Sequence, residues 1–347
     1  MPTVHINGKW LRQPFTGVQR YSDEIAKNLT NAQGFRFVLH VPKGASAPEW
    51  ADKATMTTRV APVSGLLFEQ FYLPVVSRGG LLLTFGGTAP LIKRRQLVTF
   101  HDATPFRFPA TYTKLFVAFY FVAYFILSRT ALIVMTVSEF SRGELAEVLR
   151  TSPRRFMVVP CAANGLSEIE PNKPDLEWRT GSYLVVGTYA LHKNLVGPVR
   201  ALSDSGRTAV VVGAAADDRV YSSVSATFGP GVTIAKRLTD AELAWLYRNA
   251  RALVFPSLYE GFGLPVLEAQ TMRCPVVAST AASIPEVAGD GALYFEPEAP
   301  EDLLKQLDEL ESSDSVVDGL VDRALGNAAR FSWETSAERI VEWLHAQ

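Results

Sequence analysis

Short apolar runs, each bounded by glycine, proline or polar turns, alternate along the chain with longer segments of helical periodicity. In the first half the runs fall at 4–6, 35–41, 97–100, 131–137 and 156–160, with a weaker one at 81–83. They are rich in β-branched and large apolar residues, which reads as buried strand. Val18, Tyr21, Ile25 and Leu29 recur at helical spacing and predict a helix over 18–29. Ser138 is placed to cap a second helix, with Glu144 in its first turns. Phe68-Glu69-Gln70 precedes a third that is expected to stop near Pro74. The scheme then restarts, with strands at 183–186, 208–212, 232–235, 252–255, 276–278 and 292–295. Thr239-Asp240-Ala241-Glu242 is a capping box for a helix through Tyr247. Further helices are expected at 265–272, 301–311, 316–331 and 332–345. Strand, loop and helix in repeated order predict an α/β protein of two Rossmann-like, doubly wound domains, 1–166 and 167–331, hinged in the polar stretch 167–182.

Composition narrows this picture. A chain of 347 residues is too long for one ordinary core and suits two. At 48% hydrophobic and 20% charged it is not a disordered chain. A net charge of −1 gives no global reason to expect nucleic acid as a partner. Cys161 and Cys274 lie far apart and read as reduced thiols. The first residues lack a basic segment followed by an apolar one, so a cytoplasmic protein is expected. Residues 115–127 carry no charge and hold six aromatic side chains. They fall short of the about 20 residues a membrane span needs. The first expectation is a buried helix. The second is an aromatic face that touches a bilayer or a lipid acceptor, with Lys93, Arg94 and Arg95 in support, placing the protein peripherally on the inner membrane face.

The chemistry concentrates after the apolar run 252–255. Pro256 ends that run, Gly261 and Gly263 follow, and Pro265 suits the first turn of a helix. A strand, a glycine loop and a helix start aim backbone N–H groups and the positive helix end at one spot, which favours phosphate. Glu260 and Glu268 flank it, and an ionised carboxylate offers acceptors for sugar hydroxyls. Phosphate donors beside sugar acceptors are what a nucleotide-sugar requires. Elsewhere, Gly17 lies in a loop between strand and helix, His101-Asp102 ends the strand 97–100, and Lys193 sits at a strand-to-helix turn where it opens a helix and reaches phosphate as a point charge.

The run Pro256-Ser257-Leu258-Tyr259-Glu260-Gly261-Phe262-Gly263-Leu264-Pro265, with seven residues between Glu260 and Glu268, resembles the signature of retaining GT-B glycosyltransferases of family four. Thr16-Gly17-Val18-Gln19-Arg20-Tyr21, His101-Asp102 with Thr104-Pro105, the V-S-E-F-S segment at 137–141, Lys193-Asn194 and Ser283-Ile284-Pro285-Glu286 resemble further segments of that family. The first-half wording looks most like bacterial polysaccharide-assembly transferases, often mannosyltransferases. The resemblance implies a GT-B fold with two domains facing a cleft, the first for the acceptor and the second for the donor, and a last helix over 332–347 returning to the first. It implies transfer of a sugar, with retention, from GDP-mannose or a UDP-sugar to a saccharide or lipid-linked acceptor, with neither cofactor nor metal. His101 and Glu260 would position the sugar. Gly17, Lys193, Gly261, Phe262, Gly263 and Leu264 would hold the diphosphate and Glu268 the ribose. The family's usual arginine at Thr188 or His192 is absent, so Arg237 is a candidate to compensate. Asp102 is expected to orient its loop. A sugar-nucleotide epimerase and a non-catalytic sugar-nucleotide binder share the expected fold. A Rossmann dehydrogenase is disfavoured, because the loop after the first strand lacks the dinucleotide glycine pattern.

Overall fold

The structure is a computed structural model that describes residues 1–213, 228–235 and 238–347. Its apolar runs form two separate parallel sheets. The first has the order β3-β2-β1-β4-β5-β6-β7, from β1 (Thr3–Asn7), β2 (Arg36–Val41), β3 (Met56–Val60), β4 (Leu81–Thr84), β5 (Gln96–Thr99), β6 (Ile133–Thr136) and β7 (Phe156–Val158). The second has the order β10-β9-β8-β11-β12-β13, from β8 (Tyr183–Val186), β9 (Ala209–Val212), β10 (Val232–Ala235), β11 (Leu253–Phe255), β12 (Val276–Ser279) and β13 (Leu293–Phe295). Every pairing is parallel, as between β1 and β2, where Val4 lies opposite Phe37. In both sheets the strand order reverses beside the first strand, next to β1 and next to β8. Doubly wound sheets bind ligands at that reversal, beyond the strands' carboxyl ends.

The first compact unit is Met1–Cys161 with Trp333–Gln347, and the second is Ala162–Ser332. The division falls ahead of the polar stretch 167–182 because Leu166 is buried in the second unit's core beside Leu253 and Phe255. In the first unit the helix Trp333–His345 lies on the helix Gly17–Leu29, with the Trp333 ring edge-on to Tyr21 at 6.0 Å. Ser336 donates to the Pro160 carbonyl at 2.9 Å, and Arg339 to that of Val158 at 3.0 Å.

Three elements depart from the sequence reading. β3, with the sequence Met-Thr-Thr-Arg-Val, is an edge strand exposed along most of its length, so no apolar run announces it. The helix expected to stop near Pro74 does so, ending at Val76, but it is interrupted: a π-turn, Phe68–Tyr72, leads into the helix Leu73–Val76, where Pro74 takes a first-turn position that needs no N–H. The helix Lys114–Thr130 is not buried all round. It packs Ala123, Tyr124 and Leu127 inward, and leaves Leu115, Phe119, Phe121, Val122 and Phe125 exposed. Lys93 is itself buried, donating to the carbonyls of Ser77 and Gly80 at 2.8 and 2.9 Å, so it offers no charge to an outside surface.

Candidate functional site

The second unit's residues gather where its strand order reverses. β8 and β11 are neighbours, and the loops leaving their carboxyl ends carry Lys193 and Glu260. Lys193 lies in the short 3₁₀ turn Leu191–Lys193, not at a helix start, because Asn194 turns left-handed at φ 50° and delays the helix to Val196–Asp204. Asparagine tolerates that conformation better than most residues. Here its side-chain amide also donates to the carbonyls of Pro256 and Pro297 at 3.2 and 2.7 Å. The β8 loop is thus tied to the start of the Glu260 loop, as it is again by the Leu258 N–H on the His192 carbonyl at 2.8 Å.

Lys193 Nζ donates to Glu260 Oε1 at 2.6 Å, and both side chains are largely withdrawn from solvent. The two residues the sequence assigned to separate parts of a donor therefore form one ion pair. Ser283 holds the loop beyond them, its hydroxyl between the carbonyls of Glu260 and Phe262, each at 2.9 Å. Gly263 follows at φ +100°, a conformation that disfavours side chains, and caps the helix Leu264–Thr271 with Pro265 in its first turn. The Phe262 ring is buried edge-on against Phe331 at 5.6 Å.

Glu268 stands in the second turn of that helix, 5% exposed. Tyr247 donates to its Oε2 at 3.0 Å, from the helix Asp240–Asn249 that the Thr239–Glu242 capping box begins. Sequence reasoning missed Tyr247 because an aromatic residue at helical spacing reads as plain core. It passed over Ser283, although the Ser-x-Pro-Glu turn had been recognised. Arg237 lies outside the described residues.

The first unit places its candidates around β1, β4 and β5. Gly17 is the first residue of the helix Gly17–Leu29, whose leading amides have no intrahelical partner. Thr16 does not cap them, its hydroxyl donating instead to the Gln19 side chain. His101 Nε2 lies 2.9 Å from the Phe85 carbonyl oxygen. A carbonyl only accepts, so Nε2 carries the proton and Nδ1 remains an acceptor. Burial holds the imidazole below its ordinary pKa, against the opposing pull of the Phe85 carbonyl and the Asp102 charge. The ring stands edge-on to the fully buried Tyr21 at 4.9 Å. Asp102 accepts the Thr104 N–H at 2.8 Å, which makes it a turn-forming residue as the sequence suggested. A cavity of about 330 Å³ opens at the carboxyl ends of β1 and β4, walled by Lys9, Glu69, Thr88 and Tyr120. Lys9 pairs with Glu69 at 2.5 Å, and Thr88 donates to the same carboxylate at 2.7 Å.

Residues 168–330 match the family model of glycosyl transferases group 1. Over 95% of its length the chain is 27% identical to the O-antigen chain mannosyltransferase B of Escherichia coli, covering 96% of that protein. It is 26% identical to the O-antigen chain mannosyltransferase RfbU of Salmonella typhimurium, over 86% of this chain and 84% of that one. Among solved structures it is similar to a sucrose-phosphate synthase from Thermosynechococcus elongatus, with a TM-score of 0.76 at 17% identity, covering 100% of this chain and 99% of that one.

Proposed function

We propose that this chain, a group 1 glycosyltransferase of GT-B fold akin to polysaccharide mannosyltransferases, moves mannose from GDP-mannose to a saccharide or lipid-linked saccharide in glycan assembly, with retention of configuration. The observation that carries the reading is the Lys193–Glu260 pair at the β8/β11 reversal, followed by the left-handed Gly263 and the helix it starts. A diphosphate arriving at Lys193 brings negative charge against Glu260, and the pair must open. Lys193 then turns to the phosphate and Glu260 to hydroxyls of the sugar, where it can only accept. Charge growing on the leaving diphosphate is offset by Lys193 and by the amides of Gly261, Phe262, Gly263 and Leu264. Glu268 accepts from the ribose, its remaining hydrogen-bonding capacity oriented by Tyr247. In the first unit, His101, with Nδ1 as its accepting nitrogen, is available to a sugar hydroxyl, and the Lys9–Glu69 cavity seats the acceptor's hydroxyls. The mannose preference rests on the two relatives that span most of the chain. An epimerase has no such support, since those relatives are named as transferases.

Thermal shift across GDP, UDP, ADP and their sugars tests the donor. GDP-mannose at about a hundredfold excess over its dissociation constant should stabilise the fold by about 2.7 kcal/mol. Stabilisation by UDP-glucose and not by GDP-mannose would replace the donor. NMR of the product must show the donor's anomeric configuration, and an inverted linkage sinks the retaining assignment. Transfer that collapses on adding a chelator sinks the metal-free one.

A further inference from the structure

In the first unit, four successive connections enter the amino-terminal edge of the sheet: residues 77–80 before β4, 92–95 before β5, 129–132 before β6 and 149–155 before β7. Together they hold seven arginines and no aspartate or glutamate. The side chains of Arg78, Arg94, Arg95, Arg150 and Arg154 are exposed and have neither a hydrogen bond nor an ion pair among the described residues. The other two are fixed in place without a carboxylate. Arg129 donates to the carbonyls of Phe125 and Leu149, both at 2.9 Å, and Arg155 to that of Ser128 at 3.1 Å. The buried Lys93 shapes the same edge from within, through its bonds to Ser77 and Gly80.

We propose that this edge docks on an anionic phospholipid bilayer. The chain's net charge is −1, so the positive field is local to one face. Apolar side chains stand among the cations: Val75 is 74% and Ile92 78% exposed, and Leu132 and Phe125 are each 40% exposed, with the Arg129 guanidinium 3.5 Å over the Phe125 ring. Cations interleaved with exposed apolar groups fit an anionic lipid surface, where charge draws the face in and the apolar tips enter the interface. A soluble polyanion or a nucleic acid would leave those tips in water. The surface lies at the opposite strand ends from Gly17, His101 and the Lys9 cavity, so docking leaves them uncovered. Among the described residues no helix is long and apolar enough to cross a membrane, which makes the contact peripheral. The inference stands on charge and exposure and does not depend on the donor or the reaction.

Co-flotation of the full-length chain tests it, with vesicles of phosphatidylcholine containing about 30% phosphatidylglycerol against phosphatidylcholine alone. Binding to the first and not the second is expected, weakening steeply with salt. Each cation near such a surface raises affinity about fivefold, so Arg94→Glu/Arg95→Glu/Arg154→Glu should lower binding by at least about a hundredfold. That variant should melt at the wild-type temperature and transfer sugar to a soluble acceptor at the wild-type rate. Leu115→Ser/Phe119→Ser, at the far end of the aromatic helix, should bind as the wild type does. Equal binding to both vesicles, no binding to either, retention by the arginine variant, or loss only in the Leu115/Phe119 variant overturns the proposal. So does arginine-dependent capture of RNA without vesicle binding.

Discussion

Glu268 is a carboxylate at 5% exposure, and the Tyr247 hydroxyl donates to it, as a buried polar group requires. If its task is to receive the ribose hydroxyls, Glu268→Ala removes a charged hydrogen bond. That is about 1.5–3 kcal/mol, or roughly 10- to 150-fold in the dissociation constant for GDP. Tyr247→Phe leaves the carboxylate in place and should weaken GDP only several-fold. Calorimetric titration of GDP into both variants separates them, and wild-type affinity in Glu268→Ala removes the ribose role. The two glutamates were legible in the sequence because seven-residue spacing around a glycine loop is specific. Their partners were not. That Lys193 closes on Glu260, and Tyr247 on Glu268, follows from how β8, β11 and the helix Asp240–Asn249 lie beside one another, which no spacing along the chain encodes.

Elements whose apolar residues face inward on both sides were readable as runs, and so β1, β2, β8 and β9 appear where expected. Elements lacking such a run were not: β3 presents its side chains to solvent, and the π-turn Phe68–Tyr72 has no composition of its own. The loop into the helix Leu264–Thr271 was readable through its glycines, and Gly263 offers a test. An added Cβ would meet no atom nearer than 3.8 Å, so Gly263→Ala strains the backbone at φ +100° and nothing else. A penalty of about 1–3 kcal/mol is expected, lowering both melting temperature and GDP affinity. Unchanged affinity would detach this loop from the diphosphate. A second element-level device joins β1 to β2, where His5 and His40 stack with ring nitrogens 2.9 Å apart. Burial lowers both from the usual 6.5, His5 to about 4 and His40 to about 3, with nearby Lys93 and Arg59 adding to the effect on His5, and His5 and Arg59 to that on His40. The unfolded chain therefore binds more protons than the folded one below pH 6.5. The stability of these neutral rings is fully present above that pH and is lost as pH falls toward 4 and then 3. Up to about 1.4 kcal/mol per pH unit is lost for each ring. Urea midpoints between pH 4.5 and 7 should slope upward with pH, and a His5→Gln/His40→Gln variant should flatten the slope.

At the scale of the molecule, chain order and spatial order disagree at one place, and the disagreement sets what each unit can do alone. The second unit is a continuous stretch, Ala162–Ser332, that contains Lys193, Glu260 and Glu268. The first unit borrows the chain's last segment, Trp333–Gln347, to cover the helix Gly17–Leu29. Trp333, Ile340 and Leu344 are buried there, and Ser336 and Arg339 bond the backbone at 158–160. Burying three such side chains contributes roughly 1.5–3 kcal/mol each. Their sum rivals the 5–15 kcal/mol that is about the whole stability of a domain. A chain ending at Ser332 should therefore keep a folded second unit and lose the first. Limited proteolysis should cut it throughout residues 1–161 while a fragment from about 162 to 332 survives. GDP should protect that fragment and be bound within about threefold of the full-length affinity, since a threefold change is only about 0.65 kcal/mol. If residues 1–161 resist protease without the last helix, the first unit is self-sufficient. If GDP binding disappears with the helix, the nucleotide site does not belong to the second unit alone.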